Sequence, residues 1–102
     1  MELKKIINGN KATVELEGRI DARSAPDYEK ELMALPDEIK VLDLDFSNVT
    51  YISSAGLRLI IELQQIYDDK GGSFKIIGAR DEIMEIFEVT GFDEVLNIES
   101  KN

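Results

Sequence analysis

With 102 residues, of which 43% are hydrophobic, the chain is large enough for one globular domain that buries roughly two-thirds of its unfolded surface. Its 21 acidic and 12 basic residues give a formal net charge of −9, which disfavours binding to nucleic-acid phosphates or anionic membranes. Because Cys and His are both absent, disulfides, thiolate or imidazole metal sites and Ser-His-acid triads are excluded. We therefore expect neither a hydrolase nor a metalloenzyme.

The N-terminus shows no targeting signal. Residues 1–5 lack the apolar segment and cleavage site of a signal peptide, and no run of about 18 apolar residues occurs anywhere. No repeat, linker or low-complexity tract divides the sequence. We expect a cytoplasmic protein with a single domain spanning residues 1–102.

The first predicted element is a β-hairpin. The apolar segment 3–7 leads into Asn8-Gly9-Asn10, whose residues tolerate the positive φ angles of a tight turn. Beyond the turn, apolar and polar residues alternate strictly, as in a strand with one buried face. The apolar set is Ala12, Val14 and Leu16.

A helix and a strand should follow. Ser24 is placed to cap the helix, with Asp27 completing a capping-box-like pair and Pro36 stopping it. Segment 39–46 is then a strand that points Leu42, Leu44 and Phe46 to one face and Val41, Asp43 and Asp45 to the other. We expect the two aspartates to face solvent rather than to form an acid–base pair.

The second half alternates helices and strands. Its apolar periodicity predicts helices over 53–70 and 81–90 and strands over 73–78 and 94–98. Single helices between strands require parallel, right-handed crossovers, whereas the opening hairpin is antiparallel. The prediction is an α/β fold, with a mixed sheet of about five strands and three main helices largely on one face.

Catalytic motifs are missing. Neither Gly9 nor the pair Gly71-Gly72 begins a P-loop, and Ser54 lacks the preceding glycine of a nucleophile elbow. What stands out is Ser53-Ser54 at the start of the long predicted helix. Ser53 is suited to cap that helix, and Gly56 to permit close packing. Ser54 would present its hydroxyl at the surface, where an added phosphate meets the positive end of the helix dipole.

Three segments resemble a known family. Residues 41–57 (VLDLDFSNVTYISSAGL), 16–21 (LEGRID) and 72–78 (GSFKIIG) closely resemble the STAS domain of bacterial anti-sigma factor antagonists. The resemblance implies a protein that is not an enzyme, needs no cofactor and binds an anti-sigma factor, so that a sigma factor is freed. That partner is commonly a serine kinase of the histidine-kinase-like ATPase fold, which phosphorylates the antagonist on a serine. A PP2C-type phosphatase then removes the phosphate.

Carried over by position, the resemblance makes Ser54 the phosphorylated residue. Ser53 is the second choice, because it replaces the Asp that precedes the acceptor in many members. Asp21 matches an acidic residue beside the phosphorylation site, although it could equally be a turn residue. Asp45 and Ser47 should lie near the same edge of the sheet. The proposed partner surface comprises Asp21, Asp45, Ser53, Ser54, Gly56, Leu57, Arg58 and Ile61.

Two residues of that surface have two interpretations. Leu57 and Ile61 either complete a wide core stripe or form a small exposed apolar strip beside Ser54, with Arg58 at its rim. The function has alternatives as well. The chain could be a constitutive STAS adaptor in a lipid-transport or stress-signalling complex, or a nucleotide- or small-ligand-binding STAS domain that uses the edge near Asp21 and Ser54.

Overall fold

Five strands, hydrogen-bonded in chain order, form one sheet in a computed structural model that describes residues 3–101. The first two strands pair antiparallel, and each later strand is parallel to its predecessor. The predicted mixed sheet with an antiparallel hairpin is therefore confirmed. The strands are β1 (Lys4–Asn8), β2 (Lys11–Ile20), β3 (Val41–Ile52), β4 (Ser73–Ile77) and β5 (Ile98–Glu99).

The three helices occur where the sequence predicted them: α1 (Ala25–Met33), α2 (Ser54–Asp69) and α3 (Asp81–Thr90). Two strand boundaries were wrong. Strand β3 continues beyond Phe46 to Ile52, and β5 begins only at Ile98, because Phe92–Glu94 forms a 3-10 turn after α3. Within residues 3–101, no helix is long and apolar enough to cross a membrane.

The core lies between the helices and one face of the sheet. Each predicted inward-facing residue of β2 and β3 is at most 1% exposed. Aromatic contacts join the layers, with ring centroids 6.3 Å apart for Phe46 and Phe87 and 6.5 Å apart for Tyr67 and Phe74. The residues of β2 and β3 concerned are Ala12, Val14, Leu16, Leu42, Leu44 and Phe46.

The opposite face of the sheet contradicts the expectation that its aspartates are solvated. Asp43 and Asp45 are each only 4% exposed. Lys11 Nζ lies 3.2 Å from Asp43 Oδ2, and Lys101 Nζ lies 2.8 Å from Asp45 Oδ2. Lysines can bury their aliphatic stems while the ammonium stays wet, so neighbouring lysines cover the carboxylates. We call this surface the lysine-covered face; its ion pairs are Lys4–Glu15, Lys11–Asp43, Lys75–Glu99 and Lys101–Asp45.

The far end of β3 projects beyond β4. The β3–β4 pairing stops at Asp45–Ile77, whereas β3 continues to pair with β2 as far as Ile20–Ile52. Helix α2 begins at the tip of this two-stranded extension. The longer β3 therefore carries the start of α2 away from the lysine-covered face.

Ser24 occupies the N-cap position of α1, as predicted, but its side chain does not cap the helix. The Ser24 hydroxyl makes no capping bond and instead donates to the Arg19 carbonyl oxygen at 2.7 Å. It also accepts from the Asp21 N–H at 3.1 Å. Ser24 thus folds the β2–α1 loop back onto the end of β2. Because Ser24 makes no capping bond, it does not form a capping box with Asp27.

Candidate functional site

Ser53 anchors the start of α2, as predicted. Its backbone is extended, with ψ at 178°, and its Oγ accepts a hydrogen bond from the Gly56 N–H at 3.4 Å. The Ser53 N–H donates to the Ile20 carbonyl oxygen at 2.9 Å. Ser53 therefore caps the helix and ties it to β2 at the same time.

Gly56 lets α2 approach the sheet closely. A Cβ at this position would lie 2.6 Å from Ile52 Cγ1 and 2.8 Å from the Ile20 carbonyl oxygen, both closer than atoms can pack. Gly56 is buried on the side of α2 that faces the sheet. Its placement favours the close-packing interpretation, and it has no side chain to offer a partner.

The first residue of α2, Ser54, is exposed. Arg58 and Ile61 follow it at i+4 and i+7, on the same side of the helix, and both are exposed, Ile61 by 37%. We call these three residues the Ser54 stripe. It places a hydroxyl, a guanidinium and an apolar side chain together on one solvent-facing surface.

Leu57 does not belong to that surface. It is 8% exposed and packs into the core cluster, so an exposed strip containing both Leu57 and Ile61 is wrong. The two residues are four positions apart, yet they fall on opposite sides of the boundary between core and solvent. Each of the two interpretations therefore holds for one residue.

Asp21 organises the β2–α1 loop beside this site. Its Oδ1 accepts from the N–H groups of Ser24 at 3.1 Å and Arg23 at 3.0 Å, and Arg19 Nε lies 3.5 Å from Oδ2. The hydrogen bond from the Ser24 N–H, with help from Arg23 and Arg19, holds the pKa of Asp21 below its ordinary value. The turn interpretation is favoured, because the loop itself occupies this carboxylate.

Sequence reasoning missed Arg19 and Tyr51. The Arg19 guanidinium lies over the Tyr51 ring, 4.2 Å from its centroid, and the two residues are direct partners in the β2–β3 register. Both are exposed. Two register shifts in β2 lie between these partners and the start of the pairing, so strand alternation alone could not have found them.

Asp45 and Ser47 were expected at this edge, and the structure contradicts that placement. Asp45 pairs with Ile77 in the middle of β3, eight residues before Ser53, or about 25 Å along a strand. Burial disfavours the charged form of Asp45, but hydrogen bonds from Lys101 and Ser47 outweigh it and lower its pKa. The same contact raises the pKa of Lys101. Asp45 is part of the lysine-covered face because β3 runs on to Ile52.

A groove of about 310 Å³ separates α1 from α2 next to the Ser54 stripe. Its floor is apolar and includes Ala25 and Leu59, and its rim carries Glu29, Arg58 and Glu62. Burial, together with the charge and hydrogen bonding of Glu29, raises the pKa of Glu62. The negative charge of Glu29 thus makes the Glu62 carboxyl group harder to ionise.

Comparison with known proteins accounts for this architecture. A family model described as "Mlab, STAS domain" matches residues 4–98. The anti-sigma-B factor antagonist of Bacillus subtilis is 27% identical over 95 residues, which cover 93% of this chain and 87% of that protein.

Solved structures share the fold. The anti-sigma factor antagonist SpoIIAA in its unphosphorylated form aligns with a TM-score of 0.83 at 10% identity, covering 99% of this chain and 89% of that one. Its phosphorylated form aligns with a TM-score of 0.76 at 10% identity, covering 99% and 92%. An anti-sigma factor antagonist from Mycobacterium paratuberculosis aligns with a TM-score of 0.79 at 24% identity, covering 96% and 84%. With the family model matching nearly its whole length, the chain belongs to the STAS domain family.

Proposed function

We propose that this chain is an anti-sigma factor antagonist, a regulatory binding protein rather than an enzyme, acting in the cytoplasm as one domain. It docks on an anti-sigma factor and frees a sigma factor, so it influences transcription without touching DNA. The supporting observation is the exposed Ser54 hydroxyl at the first position of α2, held in place by the Ser53 cap and the Gly56 contact. The names of the relatives supply the class of partner.

The anti-sigma factor in this proposal is a serine kinase of the histidine-kinase-like ATPase fold. It transfers the γ-phosphoryl group of ATP to Ser54 Oγ: the new P–O bond forms, the bond to ADP breaks and the hydroxyl proton is released. A metal-dependent PP2C-type phosphatase hydrolyses the phosphoserine and restores the hydroxyl. Between the two adjacent serines, Ser54 is the better acceptor, because Ser53 is half-buried and its Oγ already accepts the Gly56 N–H.

The added phosphate acts locally. It brings about −1.5 to −2 charges to a helix start whose free N–H groups tolerate an anion, so the domain stays folded. In the complex, however, the same group would lose its hydration, and taking a charged group out of water costs several kcal/mol. Unphosphorylated protein therefore binds the anti-sigma factor, and phosphorylated protein leaves it.

Mass spectrometry of the intact protein tests the acceptor. After incubation with ATP and each kinase of this class from the source organism, the wild-type chain should gain one phosphate with one of them, and Ser54→Ala none. Ser53→Ala, the matched control, should still be modified. Phosphate on Ser54→Ala but not on Ser53→Ala would move the assignment to Ser53.

A binding measurement separates this function from the adaptor. The second candidate is a constitutive STAS adaptor of a lipid-transport complex, because the matching family model establishes the STAS domain without specifying a phosphorylated role. A switched antagonist should lose most of its affinity for the kinase when Ser54 is replaced by Asp. If no kinase of this class binds the wild-type chain, and a transport subunit binds wild type and Ser54→Asp equally, the adaptor is the better description.

A further inference from the structure

Arginine is concentrated around the proposed switch. The chain has only four arginines, and three of them, Arg19, Arg23 and Arg58, lie where α2 begins. Arg58 is one turn into α2, and Arg23 follows Ala22, which lines the same groove as Arg58. In a chain of net charge −9, three of the four arginines are therefore gathered at one end of the sheet.

Two of these arginines have no partner within residues 3–101. The guanidinium of Arg19 is held by Tyr51 and Asp21, but those of Arg23 and Arg58 make no ion pair, hydrogen bond or ring contact. Every lysine of the lysine-covered face, by contrast, is paired with a carboxylate. The two unpaired guanidinium groups are therefore available to bind anionic groups of another molecule.

The nearest acids do not neutralise Arg58. Glu62 lies one turn further along α2 and Glu29 lines the same groove from α1, but within residues 3–101 neither forms an ion pair with Arg58. On the other side of Arg58, at i−4, is Ser54, and side chains with this spacing have Cβ atoms about 5–6 Å apart. The free guanidinium is thus within reach of any group attached to Ser54 Oγ.

We propose that Arg23 and Arg58 receive acidic side chains of the partner, and that a phosphate on Ser54 displaces those side chains by pairing with Arg58. This inference rests on the proposed function, to which it adds the chemistry of the partner surface. A guanidinium binds a carboxylate or a phosphate through paired hydrogen bonds, and the phosphate is the stronger, intramolecular competitor. Release then requires no change of fold, only the capture of one arginine by its own helix.

The first experiment needs no partner. Phosphoserine is incorporated genetically at position 54, and the second ionisation of its phosphate is followed by phosphorus NMR. Pairing with Arg58 should lower this phosphate pKa by about half a pH unit relative to the phosphorylated Arg58→Gln variant. Arg80→Gln, which removes a distant exposed arginine, is the matched control and should leave the wild-type value unchanged. Identical titrations for wild type and Arg58→Gln would overturn the capture of Arg58.

The second experiment uses the kinase that phosphorylates the wild-type chain. Arg23→Gln and Arg58→Gln should each weaken its complex with the unphosphorylated protein by about two- to tenfold and reduce the dependence of affinity on NaCl. Arg80→Gln should do neither. Unchanged affinity and salt dependence in both variants would disprove the acidic partner surface. Failure of the proposed function looks different, because the wild-type chain would then bind no kinase, while the phosphate titration still reports on Arg58.

Discussion

The lysine-covered face and the Ser54 stripe differ in whether their charged side chains are paired. On the sheet, Asp43 and Asp45 are buried and each forms an ion pair with a lysine, so their charges are neutralised within the molecule. On α2, Ser54 and Arg58 are exposed, and the Arg58 guanidinium has no partner within the described residues. Charged residues therefore indicate a partner surface only where the fold leaves them unpaired.

The difference follows from geometry. Neighbouring strands lie about 5 Å apart, so a lysine on one strand easily crosses to a carboxylate on the next. A helix start that sits on the tip of a two-stranded extension has few neighbours to reach. Beneath it, Gly56 and Leu57 pack closely against the sheet and the core.

The largest expected effect tests the boundary between the core and the Ser54 stripe. Leu57→Ala should lower the free energy of unfolding by about 2–5 kcal/mol, because it leaves a cavity under α2. Ile61→Ala, four residues away and 37% exposed, should change it by less than about 1 kcal/mol. Urea denaturation measures both. Similar losses in the two variants would place Ile61 in the core and remove it from the stripe.

A smaller loss of stability is expected from crowding the close contact between Gly56 and the sheet beneath the Ser54 stripe. Gly56→Ala places a methyl group 2.6 Å from Ile52 Cγ1, and overpacking of this kind costs about 1–3 kcal/mol. Thermal unfolding should show the decrease, whereas Arg58→Ala, on the exposed side of the same helix, serves as a control that stays within about 0.5 kcal/mol. A Gly56→Ala protein as stable as wild type would mean that α2 can move away from β2 and β3 freely.

The lysine-covered face should respond to pH. The lowered pKa of Asp45 means that the unfolded chain takes up a proton first as pH falls, so Asp45 stabilises the fold above about pH 4 and less below it. Asp45→Asn should cost about 1–3 kcal/mol at pH 7, and the gap to wild type should narrow in acid.

Urea unfolding at pH 7 and near pH 3 measures that gap. Asp37→Asn, which alters an exposed carboxylate in the loop after α1, is the matched control. A gap that stays constant with pH would show that the Asp45 carboxylate gains nothing from Lys101 and Ser47.

The smallest effect separates the two serines. Ser53→Ala removes the cap of α2 and should cost about 1 kcal/mol. Ser54→Ala should change stability by no more than about 0.5 kcal/mol, because the hydroxyl is exposed. Paired chemical denaturation curves decide this. Equal costs would contradict the division of labour in which one serine holds the helix and the other is left for modification.

Local patterns were enough to predict much of this molecule. The order of strands and helices, the antiparallel hairpin, the core face of β2 and β3 and the Ser53 cap all depend on periodicity or on residues within one turn of each other. The motif around Ser54 likewise identified the family without coordinates. Boundaries were less certain, as the early end predicted for β3 shows, because an alternating polar strand and a loop look alike in sequence.

What the sequence determined by itself was therefore the fold class and the position of the exposed serine, since both follow from short-range chemistry. Only the tertiary structure decided that Asp43 and Asp45 are buried. It also decided that Leu57 is buried whereas Ile61 is exposed, and that the Arg19 guanidinium lies over the Tyr51 ring. The tertiary structure also shows that, among residues 3–101, the guanidinium groups of Arg23 and Arg58 have no partner. Whether a side chain is buried or paired depends on which distant segments pack against it, and strand register and helix docking determine those segments.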